Sequence, residues 1–155
     1  MTAQSRTIHI DNNLLMQEIT RMFGEGRQSV TIVVRGYSMR PFLEDRRDKV
    51  TLVPPRTPRR GDVVLAAIGD NRYALHRVIK AGNGTYTMRG DGNPLNMTET
   101  FHDADIIAVV QSFTRKGKTI TTDSPTWRRY SFWWETLKPF RRIMLAVYRR
   151  LPRQH

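Results

Sequence analysis

The chain has 155 residues, 26 lysines and arginines against 14 acids, and no cysteine. That length suits one domain with a sizeable core plus terminal attachments, and the absent thiol excludes disulfides, cysteine catalysis and cysteine–metal sites. A net charge of +12 favours polyanions as partners; with no glycine-rich phosphate loop and no metal-ligand spacing among the histidines, no cofactor is expected.

The start, Met1 to Ile10, lacks the apolar stretch of a signal peptide. Nowhere do the roughly 20 apolar residues of a membrane-crossing helix run together. The simplest reading is a cytoplasmic protein, with a peripheral seat on the inner membrane face open to it. Asp11 can cap a helix over 12–23, striped by Leu14, Leu15, Ile19, Met22 and Phe23 and closed by Gly24 and Gly26. Strands follow at about 29–35, 48–53, 62–68, 72–80, 84–89 and 105–115, with a hairpin tip at Lys116-Gly117 leading into Lys118-Thr-Ile-Thr-Thr. Between them Pro54, Pro55 and Pro58 with Arg56, Arg59 and Arg60 form a basic, exposed connector, and His102 falls in a polar loop. Short strands between glycine and proline turns predict a mainly β fold, an antiparallel sheet or barrel.

The last segment differs in kind. Ser124-Pro125 reads as an N-cap with proline at the first helical position. Trp127, Trp133, Trp134, Leu137, Phe140 and Ile143 begin a helical apolar series that continues to Leu151, interrupted at Pro139 into two amphipathic pieces. Eight basic side chains accompany it, from Arg128 to Arg153, against one acid, Glu135. Tryptophans beside arginines suit an anionic membrane surface; packing on the chain's own domain or on a partner is the alternative. The chain thus divides into a β-rich unit, 1–123, with its chemistry at about 29–112, and a basic aromatic extension, 124–155.

Two boxes carry the chemistry. Gly36-Tyr37-Ser38-Met39-Arg40-Pro41 puts a hydroxyl on a rigid turn after an apolar strand. Tyr73-Ala74-Leu75-His76-Arg77-Val78-Ile79 puts an imidazole in a later strand, sharing a face with Ala74 and Val78. Serine needs a base within hydrogen-bond reach, and histidine is the side chain that titrates between pH 5 and 8. His9 in the N-terminal arm, His102 and the terminal His155 are poorer candidates. Arg89-Gly90-Asp91-Gly92-Asn93 follows on a tight turn and offers a carboxylate, although such a turn also forms with no chemical role. Nucleophile, base and orienting acid in that order are the parts of an acyl-transfer enzyme.

Read together, Ser38-Met39-Arg40-Pro41-Phe42-Leu43, Arg60-Gly61-Asp62-Val63-Val64-Leu65, His76-Arg77-Val78-Ile79 and Met88-Arg89-Gly90-Asp91-Gly92-Asn93 resemble the signal peptidase family and its repressor-type autoprotease relatives over residues 29–112. With histidine where bacterial members usually carry lysine, the chain is similar to the serine–histidine branch of the endoplasmic reticulum and archaea. The resemblance implies a serine endopeptidase with Ser38 as nucleophile, His76 as general base and Asp91 as the orienting acid, acting on a peptide or protein substrate. It further implies an oxyanion hole from the backbone around Ser38, Tyr37 and Gly36, with Met39 and Pro41 beside the substrate. Three features depart from the family. Met97 stands where a second aspartate is common, leaving Asp103 or Asp105 to substitute; Gly36 replaces a hydroxyl residue; and no apolar anchor is present. A different class remains open: a catalytically idle β module that binds peptide or a polyanion, nucleic acid or anionic membrane, through its basic tail. A self-cleaving repressor ranks last, because the chain leaves no room for a separate DNA-binding domain.

Overall fold

The computed structural model describes residues 12–151; His9, the expected cap Asp11 and His155 lie outside them. Helix α1 (Asn12–Gly24) buries Met16 and Ile19. Eight strands follow: β1 (Val30–Val33), β2 (Lys49–Val53), β3 (Val63–Gly69), β4 (Arg72–Gly82), β5 (Thr85–Arg89), β6 (Glu99–His102), β7 (Ile106–Arg115) and β8 (Lys118–Thr121). They make one antiparallel sheet in the order β1-β2-β7-β3-β4-β5-β6, with β8 paired to β7. The fold is mainly antiparallel β, as the sequence predicts, and the sheet is open. Its end strands β1 and β6 hold four residues each and pair with one neighbour only. Side chains of the segment after β1, Val34, Met39, Phe42 and Leu43, complete the core where backbone pairing does not.

Strand β3 explains how so short a chain fills two cores. Val63 and Leu65 point into the cluster beneath α1, whereas Val64 and Ala66 point into a second cluster with Val78, Met88 and Phe101. The alternation of side chains across a strand thus covers both faces of the sheet, and β6 packs back over β3. Strand β6 lies where the sequence predicts a loop, so His102 ends a strand.

Helix α2 (Pro125–Thr136) starts as predicted, with Ser124 Oγ accepting the Trp127 N–H at 3.2 Å and proline in the first turn. A 3₁₀ turn at Lys138–Phe140 separates it from α3 (Arg141–Arg150). Among the described residues no helix is long and apolar enough to cross a membrane. The helices pack on the sheet. Trp127 joins the core under α1, its ring 4.5 Å from that of Phe113, and Trp134 is buried too.

A buried ion pair joins the layers. Arg77 of β4 donates through Nε and Nη2 to Asp91 Oδ1 and Oδ2, each at 2.8 Å, and both residues are 1% exposed. Its Nη1 donates to Ser131 Oγ of α2 at 2.6 Å, and its guanidinium lies 4.5 Å from the Trp127 ring centre. Tyr130 donates to Asp91 Oδ2 at 3.0 Å. The Asp91 carbonyl accepts Trp134 Nε1 at 3.2 Å and Arg141 Nε at 3.1 Å, so α2 and α3 are both tied to this one residue. Burial opposes the Arg77 charge, but the pull of Asp91 and its hydrogen bonds outweigh it and leave the pKa raised. Burial, then the Asp91 charge, pushes the Tyr130 hydroxyl well above its ordinary value, so it stays a donor.

Removing one member of such a pair strands the other charge. Asp91→Ala is expected to lower stability by about 3–5 kcal/mol in urea unfolding. The double variant Arg77→Met/Asp91→Leu should lose less than Asp91→Ala alone, because no buried charge is left without a partner.

Candidate active site

Ser38 and His76 lie on the wall of the same cavity, of about 220 Å³, with Val34, Met39, Ile68 and Tyr73 among its lining. The two come from distant parts of the chain. Ser38 sits in the turn that follows β1, whereas His76 lies mid-strand in β4, opposite Val64 of β3. Helix α1 reaches the same wall, where Tyr73 donates its hydroxyl to Asn13 Oδ1 at 2.6 Å. No hydrogen bond joins Ser38 Oγ to His76, and among the described residues neither Ser38 Oγ nor His76 Nε2 has a partner.

His76 is buried, and its Nδ1 lies 2.9 Å from Oε2 of Glu99 in β6. In the neutral tautomer that donates from Nδ1 to this carboxylate, Nε2 is left as an acceptor. The acid that orients His76 is therefore Glu99 and not Asp91, whose carboxylate is engaged by Arg77 and Tyr130. The other expected substitutes are also committed: Asp103 accepts the Tyr86 hydroxyl at 2.7 Å, and Asp105 accepts the His102 N–H at 2.9 Å. One signal for Glu99 is present in the sequence. It stands two residues before Phe101, so alternation turns both to the same side, and Phe101 is fully buried.

The Gly-Asp-Gly box acts on the serine instead of the histidine. Gly92 donates its N–H to the Ser38 carbonyl at 2.7 Å. A Cβ at Gly90 would overlap that carbonyl oxygen and stand 2.8 Å from Asn93 Nδ2, while one at Gly92 would meet the Tyr37 carbonyl at 2.8 Å. Both positions are glycine because the backbone carrying Ser38 lies against them. From the other side Gly36 holds the turn with a φ of +87°, a conformation that suits glycine.

Gly36 donates its N–H to Asp45 Oδ1 at 2.8 Å, which removes it from the expected oxyanion hole. The N–H groups of Tyr37 and Ser38 have no acceptor among the described residues, and the Tyr37 carbonyl accepts the Arg40 N–H at 3.2 Å. Met39 is buried in the core while lining the cavity. Pro41 is not on the cavity wall.

Two stretches of backbone have an edge with no strand beside it among the described residues. Strand β1 pairs with β2 alone and ends one residue before Val34 of the cavity wall. Strand β4 pairs with β5 only from Arg77 onward, and residues 73–76, which lie before that point, line the cavity that Ser38 also lines.

No family model matches the chain, and no curated protein matches it either.

Gly90→Ala is expected to displace the Ser38 turn and to lower stability by about 1–3 kcal/mol, as overpacking does. Gly82→Ala, where an added methyl meets nothing within 4 Å, should stay within about 0.5 kcal/mol of wild type in the same urea titration.

Proposed function

We propose that the chain is a signal-peptidase-like serine endopeptidase that works through a Ser38–His76 pair, with Glu99 as the third member. The observation that carries this reading is the convergence on one cavity of an unpartnered serine and a buried histidine held by a carboxylate through its far nitrogen. Ordinary core histidines need no serine beside them, and ordinary turn serines need no cavity.

The steps follow from the arrangement. Ser38 Oγ attacks the scissile carbonyl carbon as His76 Nε2 takes the hydroxyl proton. The separation of the two side chains suits a site whose hydrogen bonds tighten when substrate closes it off from water. The tetrahedral oxyanion falls to the free N–H groups of Tyr37 and Ser38. The carbon–nitrogen bond then breaks and His76 returns its proton to the leaving amine. Water, deprotonated by His76, attacks the ester carbon and frees Ser38. Glu99 keeps the imidazole in the productive tautomer and offsets the charge of the imidazolium.

The open flanks of β1 and of residues 73–76 offer hydrogen bonds to an extended peptide, the mode of strand addition. The resemblance to signal peptidases implies a small side chain before the cleaved bond, and the cavity of about 220 Å³ beside Ser38 has room for one.

Digestion of a mixed peptide library, read by mass spectrometry, tests this. Wild type should cut after small residues, and Ser38→Ala should leave the library intact. Glu99→Gln should cut about 10²–10⁴-fold more slowly, as loss of a correctly held base does, whereas Asp105→Asn should cut as wild type does. Full cleavage by Ser38→Ala would contradict the assignment.

A further inference from the structure

We infer that α3 docks the protein onto the surface of an anionic bilayer. Helix α3 is fastened to the protein along one face. There Arg141 bonds the Asp91 carbonyl, Leu145 is buried, and Tyr148 donates to Glu44 Oε2 at 3.1 Å. A second face has nothing over it among the described residues. Ile143, Val147 and Leu151 are 64%, 55% and 58% exposed, and Phe140 and Met144 beside them are exposed as well. Positions 140, 143, 144, 147 and 151 recur at the helical period and form one continuous apolar stripe. Soluble surfaces scatter such side chains singly.

The charge around the stripe selects the occupant. Of the four arginines of helix α3, Arg141 is buried against Asp91, while Arg142, Arg149 and Arg150 are exposed, and the helix has no acid. From Ser124 to Leu151 the one carboxylate is Glu135, already engaged by Arg89 and Lys138. A second copy of the chain would bring two rows of arginine together with no acid on α3 to match them. Nucleic acid would satisfy the arginines and leave the apolar stripe in water. An anionic bilayer meets both demands, with phosphates for the guanidinium groups and the acyl boundary for the stripe. The ten residues of α3 are too few to cross, so the helix lies in the plane of the interface. Of the three tryptophans that suggest a membrane in the sequence, Trp127 and Trp134 are core residues and Trp133 is exposed on α2, while the docking face lies one helix further on, at Phe140, Ile143, Met144, Val147 and Leu151.

Docking would act near the serine. Glu44, which accepts from Tyr148, also accepts from Arg40 Nε at 3.1 Å, and the Arg40 guanidinium lies 4.1 Å from the Tyr37 ring centre. The membrane-facing helix is thus two side chains away from the turn that carries Ser38.

The test is co-sedimentation with vesicles of phosphatidylcholine containing phosphatidylglycerol, against pure phosphatidylcholine vesicles. It is carried out on the Ser38→Ala chain so that catalysis does not enter the readout. The protein should pellet with the anionic vesicles, release in high salt and stay in solution with the neutral ones. Ile143→Asp/Val147→Asp should weaken partitioning roughly tenfold or more. Val33→Asp, at an exposed apolar site on β1, should bind as its parent does, and both variants should keep the parent's circular dichroism because the replaced side chains face solvent. Three results would overturn the inference: no binding to anionic vesicles, undiminished binding by Ile143→Asp/Val147→Asp, or a vesicle-free dimer that this double substitution dissolves.

Discussion

The Arg77–Asp91 pair is the contact on which the rest of the structure depends. A guanidinium and a carboxylate with almost no water are tolerable only when each finds most of its hydrogen bonds inside the protein. Here they do, and the partners come from every layer: β4 supplies Arg77, the turn after β5 supplies Asp91, and α2 supplies Ser131 and Tyr130. The Asp91 backbone then takes Trp134 and Arg141. One residue therefore fixes the C-terminal helices on the sheet, and its two glycine neighbours set the height of the serine turn. The same strand places His76 next to Arg77 in sequence, so the position of His76 is referred to the same anchor.

This division of labour separates structure from chemistry among acidic residues that look alike in the sequence. Asp91 lies in a turn that resembles a family box, and it supports the site from behind. Glu99, in an unremarkable polar stretch, touches His76. Burial decides between them. Asp91 is committed to a cation, whereas Glu99 stands at the sheet's end, partly open, with the His76 imidazole as its partner among the described residues.

Much of this was legible in the residues. Strands rich in valine and isoleucine declare themselves by alternation, and the Ser124-Pro125 start and the break before Arg141 follow from backbone chemistry alone. Strand β6 was not legible, because in Glu99-Thr100-Phe101-His102 one aromatic among polar residues gives little periodic signal, and a four-residue edge strand is held by its neighbours. Missing the strand meant missing the acid on it. Whether the sheet closes is not legible either, since strand count says nothing about whether the end strands meet. The tail is helical, as its spacing predicts. Which aromatic rings are buried depends on Phe42, Phe113 and Asp91, far away in the chain, and no local pattern reports them.

The central claim is that Ser38 is made nucleophilic by His76. The most direct measurement is covalent labelling by a serine-directed fluorophosphonate, read as intact mass on wild type, Ser38→Ala and His76→Ala. The account predicts one adduct on wild type and none on either variant. Wild type that stays unlabelled, or His76→Ala that labels as fast as wild type, would contradict it.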